Sequence, residues 1–247
     1  MSSASLAPSP LRPAAKAWPD GAVGAELATA TRHLAWLSAG LGLSFAVPYL
    51  FADRLDLGKD LYYGLYGAAV LTLCAAWMRD THQSLAALVS RRWRWALLLG
   101  GLAAAVSVIV VSRTEDATAH PGGIEFIGAI IWRGLFYGAI DGLLLTAFPI
   151  LVVFAAFSGS RLRRRWPGIV AIGVMALAAS VLMTATYHLG YSDFRSEKVR
   201  KPMAGDLIWA APVLATLNPI GAPIAHAGLH VAAVTHSYDT ELFLPPH

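Results

Sequence analysis

Charge is what this sequence has least of. Only 14% of its 247 residues are Asp, Glu, Lys or Arg, against about 25% in soluble domains. With 56% apolar residues and a mean hydropathy of +0.55, the chain cannot coat a globule of its size in water, and the implied solvent is lipid. A single cysteine, Cys74, excludes an internal disulfide, and its place in an apolar run makes it a small packing residue. High hydrophobicity excludes wholesale disorder, and the 22 glycines follow no triplet period, which excludes collagen. Lysine is scarce as well. Lys16, Lys59, Lys198 and Lys201 all lie outside the apolar runs, so a retinal Schiff base has no partner.

What is present is a series of long apolar runs: Leu34 to Phe51, Leu61 to Met78, Trp95 to Ser112, Gly122 to Ser158, Gly168 to His188 and Leu207 to Val234. Several reach the 18 residues or more with which a helix crosses a ~30 Å hydrocarbon layer, and the ~10-residue alternating segments of a barrel are missing. The pattern predicts an all-α, polytopic transmembrane helical bundle of six to eight spans, forming one domain over 32–236. Residues 1–31, rich in Ala, Pro and Ser, read as a disordered tail, and 237–247 as a C-terminal tail.

The net charge of +4 is carried by clusters at run ends: Arg91, Arg92 and Arg94; Arg161 and Arg163 to Arg165; Arg195, Lys198, Arg200 and Lys201. Such clusters set membrane topology and leave no patch for nucleic acid, so the expected surroundings are a lipid bilayer. Charge counting favours an amino terminus inside the cell. Fifteen arginines against four lysines, with abundant alanine, point to a bacterial inner (plasma) membrane.

Two runs depart from simple spans. Gly122 to Ser158 would make about 55 Å of helix and contains Glu125, Arg133 and Asp141, so a break is predicted near 138–142. The last run holds Pro212, Pro219 and Pro223. Its Asn218-Pro219 pair is a turn signal, and predicts an inbound helix reversing at 218–219 into a returning one.

An ionisable group inside a span costs about 2.5–3.5 kcal/mol and marks a candidate site. The candidates are Glu125, Arg133, Asp141, His188, His226 and His230. His226 and His230 are four residues apart on one helix face, which is metal-ligand spacing; the same spacing also serves polar residues that bond to neighbouring helices. His188 ends its own run. In a straight final helix His226 would lie about 28 Å from Leu207, out of reach, whereas the turn at Asn218-Pro219 returns it toward His188. The acids and the arginine also have structural readings: Glu125 near the headgroups, Arg133 paired with a carboxylate, Asp141 capping a broken helix half.

Three stretches carry a family resemblance. Trp132-Arg133-Gly134-Leu135-Phe136, Tyr187-His188-Leu189-Gly190 and His226-Ala227-Gly228-Leu229-His230 are similar, in order and spacing, to the three motifs of the CPBP family. These CAAX-protease and bacteriocin-processing proteins are intramembrane metalloproteases. The likeness covers about 122–236. It departs from the family where the paired glutamates would stand, at Gly128 and Ala129, and at Thr184 and His230, which replace the family's Phe and Asn or Asp.

The resemblance implies a zinc-dependent intramembrane endopeptidase acting on a membrane-protein or peptide substrate. His188, His226 and His230 would hold zinc, Glu125 would activate water in place of the absent pair, and Arg133 would order the site. The missing glutamates favour a second reading, a non-catalytic membrane scaffold or ligand-binding protein. Proline-broken helices with midplane charges suggest a third, a small-solute transporter. Clustering of Glu125 with the histidines is required by the first reading and not by the others.

Overall fold

The computed structural model describes residues 20–240 and 242–245, and among them there is no strand. Eight helices follow in order. Helix α1, Asp20–Val47, continues through a π-helical stretch, Pro48–Arg54; α2 is Lys59–Asp80, α3 the short Leu85–Ser90, and α4 Trp93–Thr114. Helix α5 runs over Gly123–Ala156, α6 over Trp166–Leu189, α7 over Arg200–Thr216 and α8 over Gly221–His236. Five helices are long and apolar enough to cross a membrane: Glu26–Arg54 within α1 and its continuation, then α2, α4, α5 and α6. Helices α7 and α8, of 17 and 16 residues, form an antiparallel pair.

Two boundaries differ from those read off composition. Residues 20–31 belong to α1 rather than to a tail, and residues 1–19 lie outside the described residues. The C-terminal segment folds back on the bundle, with Leu244 fully buried and Phe243 nearly so.

The ends of the helices sort into two sets. Glu26 lies beside Gly159, joining the start of α1 to the α5–α6 loop. At the tip of the last hairpin Asn218 donates to the carbonyls of Val89 and Arg91 at 2.7 and 2.6 Å, while its Oδ1 accepts from the amide of Ile220. That tip therefore sits with the α3–α4 loop. At the opposite end the His236 carbonyl accepts from the Thr118 amide, so α8 ends beside the α4–α5 loop. The turn expected at 218–219 is present, helped by Leu217 in the left-handed region (φ 52°).

The break expected near 138–142 is not. Helix α5 is continuous and absorbs its length in two π-helical stretches, Ile130–Phe136 and Gly142–Ala147, which pack more residues into each ångström of rise. Its glycines serve close packing. Gly134, Gly138 and Gly142 form a stripe at four-residue spacing along α8, where a Cβ would come within 2.8 Å of Val231, 2.8 Å of Ala227 and the His226 carbonyl, and 2.5 Å of the Ala222 carbonyl. On the other side of α8, Gly100 of α4 meets Gly221 and Gly228 meets Ala104. Small residues at four-residue spacing let helices approach where lipid gives no hydrophobic drive to associate.

Helix α8 is thus wedged between α4 and α5. One core cluster joins α1, α2, α5 and α6 through Tyr62, Tyr66, Phe148 and Ile172, and a second joins α4, α7, α8 and the C-terminal segment through Trp209, Leu229 and Phe243. Large apolar side chains such as Leu98, Leu102 and Ile109 on α4 and Val174 and Leu182 on α6 face outward, which lipid tolerates and water does not.

Candidate metal centre

The glycine stripe determines what α5 can touch on α8. Asp141 follows Gly138 by three residues and precedes Gly142, so close packing there drives its carboxylate against the His226 and His230 face. One ligand atom from each of Asp141, His226 and His230 lies within 4.8 Å of the others, and all three residues are buried, at 2–4% exposure. A tetrahedral ion with bonds of ~2.0–2.2 Å spaces its ligands ~3.3–3.6 Å apart, so these atoms close on one with shifts of at most about 1 Å each.

Hydrogen bonds to the rings decide where their protons sit in the ion-free cluster. His230 Nε2 stands 3.2 Å from Asp141 Oδ2; a carboxylate only accepts, so Nε2 carries the proton and Nδ1 a bare lone pair. Thr146 spends its one hydroxyl proton on Asp206 Oδ1 at 2.8 Å. Its 3.2 Å contact with His226 Nε2 therefore has the imidazole donating, and again Nδ1 is left with a lone pair. Both Nδ1 atoms are buried without a hydrogen-bond partner. Tyr66 of α2 donates to Asp141 Oδ1 at 2.8 Å, which aims Oδ2 at the histidines. Ligating imidazoles characteristically donate their second N–H to an oxygen acceptor, as His226 does to Thr146, so its orphaned Nδ1 is where an ion would bind; His230 would reach the same ion as Asp141 through Nε2, the nitrogen already 3.2 Å from Oδ2, giving up its proton to do so.

His188 lines the same cavity as Asp141, His226 and His230. Its Nδ1 donates to the Thr184 carbonyl at 2.8 Å, so its lone pair is on Nε2. The cavity holds about 390 Å³ and runs from the cluster past Trp209 and Leu229 to Thr114, Lys201 and the C-terminal Phe243. Trp209 leans on His226 with ring centroids 4.6 Å apart, held by a 2.9 Å hydrogen bond to Ser107. The walls are otherwise apolar, as in most small-molecule sites.

Glu125 and Arg133 do not join this group. Glu125 is exposed in the first turn of α5, 16 residues from Asp141 and so on the order of 20 Å away. It cannot activate water at the histidines, which needs near contact or one bridging water. Arg133 makes a two-pronged pair with Asp60, Nε to Oδ1 at 2.9 Å and Nη2 to Oδ2 at 2.8 Å, and donates to the Tyr238 hydroxyl at 2.9 Å. It ties α5 to α2 and to the C-terminal segment, the structural role rather than an ordering one. Asp141 caps no broken helix.

The residues missed by sequence reasoning are those that orient the ligands. Tyr66 gave a faint signal in Tyr62-Tyr63-Gly64-Leu65-Tyr66, where Tyr62 and Tyr66 share a face; Tyr62, Tyr137, Tyr187 and Tyr191 form a buried hydroxyl cluster nearby. Thr146 is hidden inside an apolar run. Asp206 falls just before the apolar run that starts at Leu207, yet α7 begins at Arg200 and holds it fully buried.

No protein-family model matches the chain, and no curated protein or solved structure matches it.

Proposed function

We propose that this chain is a CPBP-like integral membrane metalloprotein of the bacterial inner membrane, binding one zinc ion through Asp141, His226 and His230 and hydrolysing peptide bonds in an apolar substrate segment. The observation that carries the reading is the buried clustering of one ligand atom each from Asp141, His226 and His230 within 4.8 Å, with His226 Nδ1 left without a partner. Two nitrogens and an oxygen are a donor set that zinc accepts. Bound there, zinc would supply Lewis acidity toward a carbonyl and lower the pKa of water.

The chain's own residues divide the remaining work. Asp206, through Thr146, holds the His226 imidazole in the tautomer that leaves Nδ1 bare. Tyr66 holds Asp141. His188, with Nδ1 locked on the Thr184 carbonyl, keeps Nε2 free to accept a proton at the cavity wall. Trp209 and Leu229 cover the cluster with apolar surface and limit water. The start of α1 and the two arginine-rich loops share one end of the bundle, with nine basic residues among the described ones against seven, Arg133 apart, at the other. The positive-inside rule then puts that end in the cytoplasm and the mouth of the cavity on the outer side.

A second reading, a metal-binding component without hydrolysis, is favoured by one observation: Gly128 and Ala129 stand where the family has glutamates, and Glu125 is remote. Metal analysis of the purified full chain and cleavage of bilayer-embedded peptides separate the two. We expect about one zinc per chain, abolished by His226→Ala with His230→Ala, and cleavage lost in His188→Ala with zinc retained. Zinc without cleavage establishes the second reading; folded protein that takes up no zinc overturns both.

A further inference from the structure

A second polar cluster adjoins His226 through Thr146 but does not line the cavity. Its centre is Asp206 of α7, fully buried. Among the described residues no basic side chain stands within ion-pair distance of its carboxylate. Hydroxyls surround it instead. Thr146 of α5 donates to Oδ1 at 2.8 Å, and Ser180 and Thr184 of α6 approach the same carboxylate. Ser180 donates its proton to the Leu145 carbonyl at 3.0 Å and so turns lone pairs inward. Two atoms are left over: Asp206 Oδ2 and Thr184 Oγ1 are enclosed and have no hydrogen-bond partner.

An unpaired carboxylate is strongly disfavoured among membrane helices, so something must complete this cluster. A water molecule would bridge Oδ2 and Thr184 Oγ1 but leave the charge. A cation bridges them and balances it. A proton on Oδ2, shared with Thr184 Oγ1, is the other way to complete the cluster, and measurement at two pH values separates it from a cation. One carboxylate and three hydroxyls form an all-oxygen donor set without nitrogen or sulfur, which selects a hard ion. One negative charge is balanced by one positive charge, and the cluster opens to no sizeable cavity, which selects a small ion.

We propose that Asp206, Thr146, Ser180 and Thr184 form a binding site for a small monovalent cation, of sodium size, distinct from the zinc site and joined to it through the Thr146–His226 contact. A ligand that binds only the folded state raises the unfolding temperature in a saturable way. The test is thermal unfolding of the full chain in detergent, after chelation of divalent ions, in sodium, potassium or choline chloride at equal ionic strength and at two pH values. We expect a saturable rise in Tm in sodium, absent in choline and smaller in potassium, at both pH values, together with saturable uptake of radioactive sodium. Thr184→Val keeps the side-chain volume and the backbone carbonyl that holds His188, and should abolish the sodium response; Ser180→Ala should weaken it, and serves if the first variant does not fold. Equal Tm in all three salts, a shift that follows pH alone, or equal stabilisation by potassium would overturn the proposal.

Discussion

Arg133 and Asp141 stand eight residues apart on one helix and show two ways of keeping charge in a membrane protein. Arg133 sits near the end of the bundle, paired with an aspartate whose side chain is 58% exposed. Asp141 lies in the packed middle, its two oxygens taken by Tyr66 and His230 and its side chain 6% exposed. An exposed pair contributes about 0–1 kcal/mol, since water and salt screen it. Removing one partner of a buried pair costs about 3–5 kcal/mol, because the other is left uncompensated in a low dielectric. The same helix therefore carries a fastening at its rim and a poised ligand cluster at its centre, and depth separates the two roles.

The contrast is most directly broken by truncating the two aspartates. Asp141→Ala should destabilise the protein by about 3–5 kcal/mol and abolish zinc uptake, because it strands the Tyr66 hydroxyl and the His230 Nε2–H as well as removing a ligand. Asp60→Ala should cost about 1 kcal/mol or less and leave zinc uptake intact. Thermal unfolding and metal analysis of both variants check this; similar costs would erase the distinction.

A smaller effect is expected from the packing that brings the centre together. Gly138→Val places methyl groups against Ala227 and the His226 carbonyl, where even a Cβ would meet atoms at 2.8 Å, and overpacking of this kind costs about 1–3 kcal/mol. It should also weaken zinc binding by pushing α8 from α5. Gly128→Val, at a position where a Cβ meets nothing within 4 Å, is the matched control and should change neither Tm nor metal affinity. The smallest effect belongs to Glu125→Gln. Metal content, stability and any peptide cleavage should equal those of the parent chain, and a large loss of cleavage would return Glu125 to the reaction.

Much of the architecture was legible in the chain. Low charge and runs of 18 apolar residues identify lipid as solvent, and in lipid an unclosed backbone leaves helices as the available spanning form. Asn218-Pro219 marks a reversal that the fold contains, because Asn218 caps the hairpin with all its polar atoms. The glycines near 138–142 were legible as unusual but not as what they are. A four-residue stripe of small residues and a weak point in a helix look alike until the neighbour that fills the groove is known. The same holds for the site. His226 and His230 announce themselves by spacing, whereas Thr146 and Asp206 matter only through partners 60 or more residues away.

Local rules were enough for the solvent, the helical class, the last hairpin and one histidine pair, since each depends on hydropathy or on residues within a turn of one another. Which carboxylate meets those histidines depended on tertiary packing. Glu125, Asp141 and Asp206 are equivalent as acids in a sequence. Only the glycine-lined crossing of α5 on α8 places Asp141 at the imidazoles, leaves Glu125 at the surface, and encloses Asp206 among hydroxyls, because side-chain reach is a few ångströms and contact between helices decides who comes within it.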